Sequence, residues 1–523
     1  MKKRLTLLLF NIVAILSANA QQSKYNIAFG TGSSVLSKSF SSIDYTSDNG
    51  HITNSRFVDY NNPGNQFLLT KRDSAGTVQW ARSWTFSNPQ YIYITTDIHQ
   101  LAGGGYFDCY TGFHSIAPFY DYLAVHADAN GNVLWNKSYT PVNTSLRIRN
   151  EAQNRQTADG GFAVVADVVD ATGADYYYHA LKLDSSGNVQ WSQLFNYSPF
   201  KTYHTNMELC AGGDILICGN RTDLNNNLLS CVTRIDGNGN FKWSQKFKYG
   251  GNFNALDIEE AYDGGVVFLS QITDTLGQTA VALTKTDSSG QLLWSRMFQS
   301  LPAFVFGEGL QRTRDGGFII YGTTYSVNIV SSGFILKTDA TGNFLWFRRF
   351  IGQQVQAADE TASGGLVLSS INSTTNRESV IRTDALGLTT CEEISAVLTG
   401  VAINPIVLSD TAAGPMPLVV STGPLLESAV TVFDTLLCQT PLSTAEQTQT
   451  VFSFYPNPAT ETVLLKNMPA DAQFTIYDAS GRMVFTGNSS TAAIPVQQWP
   501  AGFYVLQLND AAMRIHYKLQ VQH

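Results

Sequence analysis

The chain has 523 residues, of which 14% are charged and 12% aromatic, and a formal net charge of −8. An average soluble domain carries roughly 25% charged residues, so this composition suits closely stacked sheets joined by polar turns. The acidic balance is spread without long runs of one sign, which leaves no electrostatic footprint for nucleic acid and excludes it as an expected partner.

Residues 1–20 read as a secretory signal peptide, with Lys2-Lys3-Arg4 ahead of an apolar run from Leu5 to Leu16 and Ala18-Asn19-Ala20 as cleavage site. The run is too short for an uncleaved anchor, which needs about 20 apolar residues. The mature chain is expected to start near Gln21, to hold no transmembrane segment and to be a monomer. No cysteine lies next to the cleavage site, which argues against a lipoprotein.

A hairpin pattern of basic residue, DxxG turn and Trp then recurs. Its copies are Asp73/Gly76/Trp80, Asp128/Gly131/Trp135, Asp184/Gly187/Trp191, Asp236/Gly239/Trp243, Asp287/Gly290/Trp294 and Asp339/Gly342/Trp346, with a seventh, Asp384/Gly387, that has Cys391 where Trp is due. Successive Asp spacings of 55, 56, 52, 51, 52 and 45 residues mark a repeat array. Each Trp has a second aromatic four residues on, as in Trp191/Phe195 and Trp135/Tyr139, so both rings share one strand face and are expected to pack on a neighbouring blade.

Each repeat also has a Gly-rich turn, such as Asp159-Gly160-Gly161 or Asp315-Gly316-Gly317, followed by an apolar run such as Phe162-Ala163-Val164-Val165. Four short strands per repeat predict an all-β fold, a seven-bladed β-propeller over residues 21–394. The seventh repeat lacks its last strand. Tyr25 and Phe29 show the missing aromatic spacing, so the N-terminal strand is expected to complete the last blade and close the ring.

Residues 395–450 change character, with Pro405, Pro415, Pro417, Pro424 and Pro441, and are expected to form a β-arm and linker. Six cysteines in an exported chain allow 15 pairings. Cys391 and Cys438, which flank the arm, are the first candidate bridge; Cys218 with Cys231 and Cys210 with Cys218 compete as local ones.

Residues 451–523 contain Phe454-Tyr455-Pro456-Asn457-Pro458, then Tyr477-Asp478 with Gly481-Arg482, then Trp499-Pro500-Ala501-Gly502-Phe503-Tyr504, and a closing segment with Lys518. This order of motifs resembles the type A C-terminal sorting domain of the type IX secretion system. The resemblance implies a small β-sandwich, the type IX secretion machinery as partner, and a destination that is secreted or on the exterior of the outer membrane. His516-Tyr517-Lys518 departs from the more basic ending common in that family.

Chemistry is sparse. DxxGxxxW is similar to the Asp box of sialidase-type propellers and to the tryptophan-docking repeat of quinoprotein dehydrogenases, both of which build blades and do not catalyse. Each turn Asp has a basic residue two positions earlier (Lys71, His126, Lys182, Arg234, Lys285, Lys337, Arg382), read as a local ion pair rather than a cation ring for a polyanion. The turns at Asp128 and Asp236 resemble the opening of a calcium loop but lack its bidentate Glu, so weak calcium binding is the alternative to plain turn chemistry. No catalytic, cofactor or metal residues are assigned. Tyr91-Ile92-Tyr93, Phe119-Tyr120-Asp121-Tyr122 and Tyr176-Tyr177-Tyr178 are read as strand core, with a ligand platform as the alternative. The expectation is a non-catalytic binding or adhesion module for a glycan or protein. The rivals are a carbohydrate-active hydrolase or lyase and a quinoprotein-like propeller.

Overall fold

The computed structural model describes residues 25–522, apart from residues 440–452 and stretches of at most nine residues between the strands named below. The chain divides into two compact units, Met1–Leu442 and Ser443–His523. The signal-peptide expectation lies outside the described residues.

In the first unit the apolar runs after the Gly-rich turns form central strands buried on both faces, such as Phe162–Asp170 and Ile215–Thr222. The described residues form seven antiparallel sheets, and the third is typical: Leu146–Gln156, Phe162–Asp170, Tyr176–Leu183 and Val189–Asn196 pair in chain order. The Gly-rich turns need one residue in the left-handed region. Asn49 (φ 65°) fills that place in the first sheet, where the other repeats use glycine, because a short polar side chain tolerates it.

The innermost strands Leu36–Tyr45, His99–Gln100, Leu146–Gln156, Asn206–Leu209, Asn252–Glu260, Phe304–Arg312 and Gln353–Glu360 follow one another around a ring, and the last meets the first. Closure uses the N-terminal strand as its spacing predicts. Tyr25–Gly30 pairs antiparallel with Glu378–Arg382, Tyr25 opposite Arg382 and Phe29 opposite Glu378. The architecture is that of a β-propeller.

The arm after the seventh repeat lies along the outer edges of the sheets. Glu393–Ser395 pairs with Phe344–Ile351, Thr399–Ala402 with Leu292–Gln299, and Ile406–Ser409 with Phe241–Lys248. Leu418–Thr422 then pairs with Val133–Pro141, Leu425–Ala429 with Val78–Phe86, and Phe433–Gln439 with Tyr25–Gly30. The segment therefore runs round the ring against the order of the repeats, adding a fifth edge strand to sheets six, five, four, two, one and seven. An unpaired outer edge is a template for aggregation, and this belt covers it.

The second unit is a sandwich. One sheet orders Ser453–Tyr455, Thr462–Lys466 and Ala493–Pro495; the other orders Met483–Asn488, Gln473–Tyr477, Gly502–Asn509 and Arg514–Val521. Both contribute to one core, in which Val463 and Ile494 meet Phe474, Ile476, Tyr504 and Leu506.

Candidate functional site

The repeated motif is a joint between sheets. In all seven DxxG turns the Asp Oδ1 accepts from the backbone N–H groups two and four residues on, at 2.8 or 2.9 Å. The turn glycine has positive φ, 77° at Gly131, and a Cβ there would lie 2.7 Å from the Trp80 ring of the preceding sheet. Trp135 covers Gly187 in the same way, Trp191 covers Gly239, Trp243 covers Gly290, Trp294 covers Gly342 and Trp346 covers Gly387. The indole N–H groups of Trp191 and Trp243 donate to Gly237 O and Ser288 O, both at 3.0 Å, and Tyr139 Oη donates to Gly187 O at 2.7 Å. At Asp128 and Asp236, the calcium-like turns, both carboxylate oxygens accept hydrogen bonds from within the turn.

Gly76 stands where the ring closes. It keeps the turn conformation, with φ 87° and its N–H donating to Asp73 O at 3.1 Å. The preceding sheet there is the seventh, whose fourth strand is Tyr25–Gly30, a stretch without Trp. Gly76 is buried, and its carbonyl accepts from the Arg72 guanidinium of its own sheet at 2.8 Å.

The basic residues two positions before these Asp residues do not pair with them as expected. Lys71, Lys182 and Lys337 reach the Gly-rich turn of their own sheet, at 2.7 Å from Asp48, 2.9 Å from Asp159 and 2.7 Å from Asp315, and Lys285 reaches Asp263 likewise. Arg234 pairs with Asp214 at 2.6 Å, and Arg382 donates to Asn49 O at 3.0 Å. The DxxG carboxylate is already occupied by its own turn, and the two turns of a sheet lie at the same end. His126 instead packs edge-on against Trp135, and burial lowers its pKa.

The local cysteine bridges are also absent: Cys109, Cys210, Cys218 and Cys231 are buried thiols in no disulfide. Cys218 pairs with Val232 and Cys231 with Gly219, so the two thiols point to opposite faces, one beside Phe247 and Phe253 and the other beside Tyr178 and Phe195. Cys218 lies opposite Asn206, four residues or about 13 Å along the strand from Cys210, beyond the reach of a disulfide. The Cys391–Cys438 bridge lies outside the described residues. Of the tyrosine-rich stretches, Tyr122, Tyr176 and Tyr178 are core.

The feature that motif reading missed is the lumen. The innermost strands line a cavity of about 910 Å³. Each Gly-rich turn is closed by one backbone N–H, at Thr46, Leu101, Thr157, Cys210, Ala261, Thr313 and Thr361. Two residues earlier stand Asp44, His99, Arg155, Glu208, Glu259, Gln311 and Asp359, and all seven line the cavity. A polar residue at this place in every repeat was the available signal.

Most of this wall binds sheet to sheet. Innermost strands diverge from one another, so their lumen-side N–H groups need acceptors from the next sheet. Asp44 accepts from Gln100 N at 2.6 Å, Asp257 from Leu310 N at 2.7 Å, Glu259 from Arg312 N at 3.1 Å and Asp359 from Tyr45 N at 2.8 Å. Glu360 accepts from Arg314 N at 2.8 Å, across the junction of the sixth and seventh sheets. Arg155 bridges Asp97 at 2.6 Å and Glu208 at 3.1 Å, and His99 lies 3.2 Å from Asp97. Among the acids lining the cavity, Glu308 alone makes no hydrogen bond or ion pair among the described residues.

Burial governs the protonation of this wall. It raises Asp257 to about 7 against two backbone N–H donors, and Asp359 to about 7 with help from Asp44. Burial, with Glu208 and Asp257 nearby, holds Glu259 well above its ordinary value. Burial works against protonated His99, yet the Asp97 carboxylate raises it to about 9. Glu308 opens to the lumen but is walled in by the surrounding sheets, and that enclosure raises it to about 7. Toward one end of the lumen stand Phe306, edge-on to Tyr325 at 5.5 Å, and toward the turn end Tyr262 under the Arg312 guanidinium at 4.6 Å.

In the second unit, Tyr477 pairs with Met483 and Val505, and Arg482 N donates to Asp478 Oδ1 at 3.0 Å across the turn. Tyr504 Oη donates to Pro500 O at 2.7 Å. Gly502 pairs with Val521, Lys518 with Val505 and Tyr455 with Leu464. Pro456, Asn457, Pro458 and Gly481 lie outside the described residues.

Residues 453–522 match the family described as secretion system C-terminal sorting domain. They are the type IX sorting domain that the motif order implied, and they mark the chain as cargo for export to the cell surface or beyond. No curated protein matches the sequence. Solved structures give faint likenesses. An alpha-L-arabinanase of Penicillium chrysogenum has 10% identity and a TM-score of 0.37 over 57% of this chain and 95% of its own. An exo-beta-1,3-galactanase of Phanerochaete chrysosporium has 9% identity and a TM-score of 0.29 over 79% and 100%. PorZ, a surface component of the type IX secretion system of Porphyromonas gingivalis, has 8% identity and a TM-score of 0.16 over 95% and 100%. Scores this low bear on neither activity nor ligand. Among the described residues no helix is long and apolar enough to cross a membrane.

Proposed function

We propose that this exported cargo is a non-catalytic binding protein whose seven-bladed ring takes its target in the lumen, with residues 1–20 as its signal peptide. Export follows from the sorting domain; the binding role is supported by how the lumen wall is used. Hydrolysis of a glycosidic bond needs two carboxyl groups free to face the bond. Here seven of the eight lining acids are engaged by backbone N–H groups, Arg155 or His99, and Glu308 stands apart. The wall is thus a rigid polar surface suited to recognition.

One observation favours a carbohydrate hydrolase as second reading: Glu308 and Asp257 are both raised to about 7, the range that general acid–base chemistry uses. The two readings separate when the full-length protein is incubated with polysaccharides while retention and release of reducing ends are both followed. Retention without new reducing ends is expected. Turnover would contradict the binding role.

A further inference from the structure

The ligand class of this lumen, resting on the binding role just proposed, follows from the groups that the fold has not already committed. Gln271 donates to Val305 O and Ala280 O and accepts from Gly307 N. Asp44, Asp257, Glu259, Asp359 and Glu360 hold backbone N–H groups, while Asp97 and Glu208 hold Arg155. What is left on the wall is different in kind. Gln153 is 9% exposed, lines the cavity, and has no hydrogen-bond partner among the described residues. Asn254 lines it too. Glu308 lies on the wall beside Phe306, which is 38% exposed, and Tyr325 beyond it is 41% exposed.

These groups share one stretch of the lumen. Counted back from the N–H that closes the Gly-rich turn, Asn254 and Phe306 are seven residues away on adjacent strands, Glu308 five and Gln153 four. Three residues of strand correspond to about 10 Å of lumen, ignoring the bulges. The Gln153 amide, nine-tenths buried, open to the lumen and without a partner among the described residues, costs stability unless something fills its hydrogen bonds, so it points to an occupant.

We infer that this stretch of the lumen, from Phe306 to Gln153, is a subsite for an uncharged oligosaccharide. Amides and one carboxyl supply donors and acceptors for ring hydroxyls. The negative face of an aromatic ring at the rim suits the C–H faces of a sugar. An anionic sugar is disfavoured because the basic groups of the wall are already engaged, Arg155 and His99 by Asp97, Arg312 by Glu260 O and the Tyr262 ring, and Arg314 by Thr361 O. A cationic ligand is disfavoured because seven of the eight carboxyl groups are already engaged and the eighth, Glu308, is kept partly protonated near neutral pH by its enclosure.

The full-length chain is titrated calorimetrically with neutral oligosaccharides of glucose, xylose and mannose, and with oligogalacturonate as the acidic probe. At least one neutral probe binds, and the acidic one binds at least about tenfold more weakly. Phe306→Ala, at an exposed position, and Glu308→Gln each lower affinity for the neutral probe by about tenfold with unchanged thermal unfolding. Full affinity in both variants overturns the subsite. So does the finding that only a peptide or protein ligand competes for the lumen, which leaves the binding role standing. Cleavage of a bound neutral probe overturns the non-catalytic role and supports the subsite, and failure of every class of probe to bind overturns both.

Discussion

The inner and outer edges of the sheets pose one problem, unpaired backbone groups, and meet it in opposite ways. At the inner edge, side chains of the neighbouring sheet do the pairing, as Asp257 does for Leu310 and Asp359 for Tyr45. At the outer edge the backbone does it, through a segment that passes round the ring from Glu393 to Gln439. Side-chain pairing leaves a polar lumen with local chemistry at each strand. Backbone pairing leaves no chemistry, only an edge that no longer invites another chain.

The contrast can be broken most severely from outside. Removing residues 393–523 strips the fifth strands from six sheets, and the expected outcome is aggregation of the remaining ring, read by light scattering; a soluble monomer would mean that the belt is dispensable. Tyr25–Gly30 is paired on both sides, by Glu378–Arg382 and by Phe433–Gln439. Ile27→Pro there should cost about 3 kcal/mol or more in unfolding free energy. At the inner edge, Asp257→Ala leaves the N–H groups of Leu310 and Ile258 without their acceptor, at about 1–3 kcal/mol each, measured by denaturant unfolding.

The inner edge should also respond to pH where the outer one does not. Asp257 and Asp359 are raised from 3.8 to about 7 in the folded state. Their stabilising protonation is complete below the unfolded value and is lost as pH rises through 7, on the order of 1 kcal/mol per pH unit per group. His99 has the same sign at higher pH, fully contributing below 6.5 and lost as pH rises through about 9. Melting temperature should fall from pH 5 to pH 9, and Asp257→Asn should flatten the first part of that fall. The smallest effect belongs to the half-exposed Lys242, whose pairing with Asp214 should be worth about 0–1 kcal/mol in a Lys242→Ala comparison.

The repeated turn was legible because its Asp, Gly and Trp each have a backbone or packing reason to recur at fixed spacing. The triplet at Gly76 matches the others, and the strand that precedes it round the ring carries no Trp, as the missing last strand of the seventh repeat implied. The closing strand was legible from Tyr25 and Phe29 because the same aromatic interval marks the other fourth strands. The order of the belt was not, since strands as short as Glu393–Ser395 take their direction from the edge they meet and carry no period of their own. The ion pairs were misassigned because residues two apart on a strand share a face, while the turn carboxylate had already been captured by its own amides. The lumen was legible in principle, as a polar residue two before each turn-closing N–H. Its chemistry was masked because those residues differ in kind, from Asp44 to His99 to Arg155. The unpartnered Gln153 has no sequence signature, since being without a partner is a property of packing.

Paired cysteines across the belt test the central claim most directly. Lys246 faces Leu408 in the fourth sheet, and Ser138 faces Ser421 in the second. Lys246→Cys with Leu408→Cys, and Ser138→Cys with Ser421→Cys, should each form an intramolecular disulfide under mild oxidation, seen as a mobility shift and a reductant-sensitive mass. The crossed pair Lys246→Cys with Ser421→Cys should not. Cross-linking of the crossed pair, or of neither matched pair, would contradict a belt that runs against the order of the repeats.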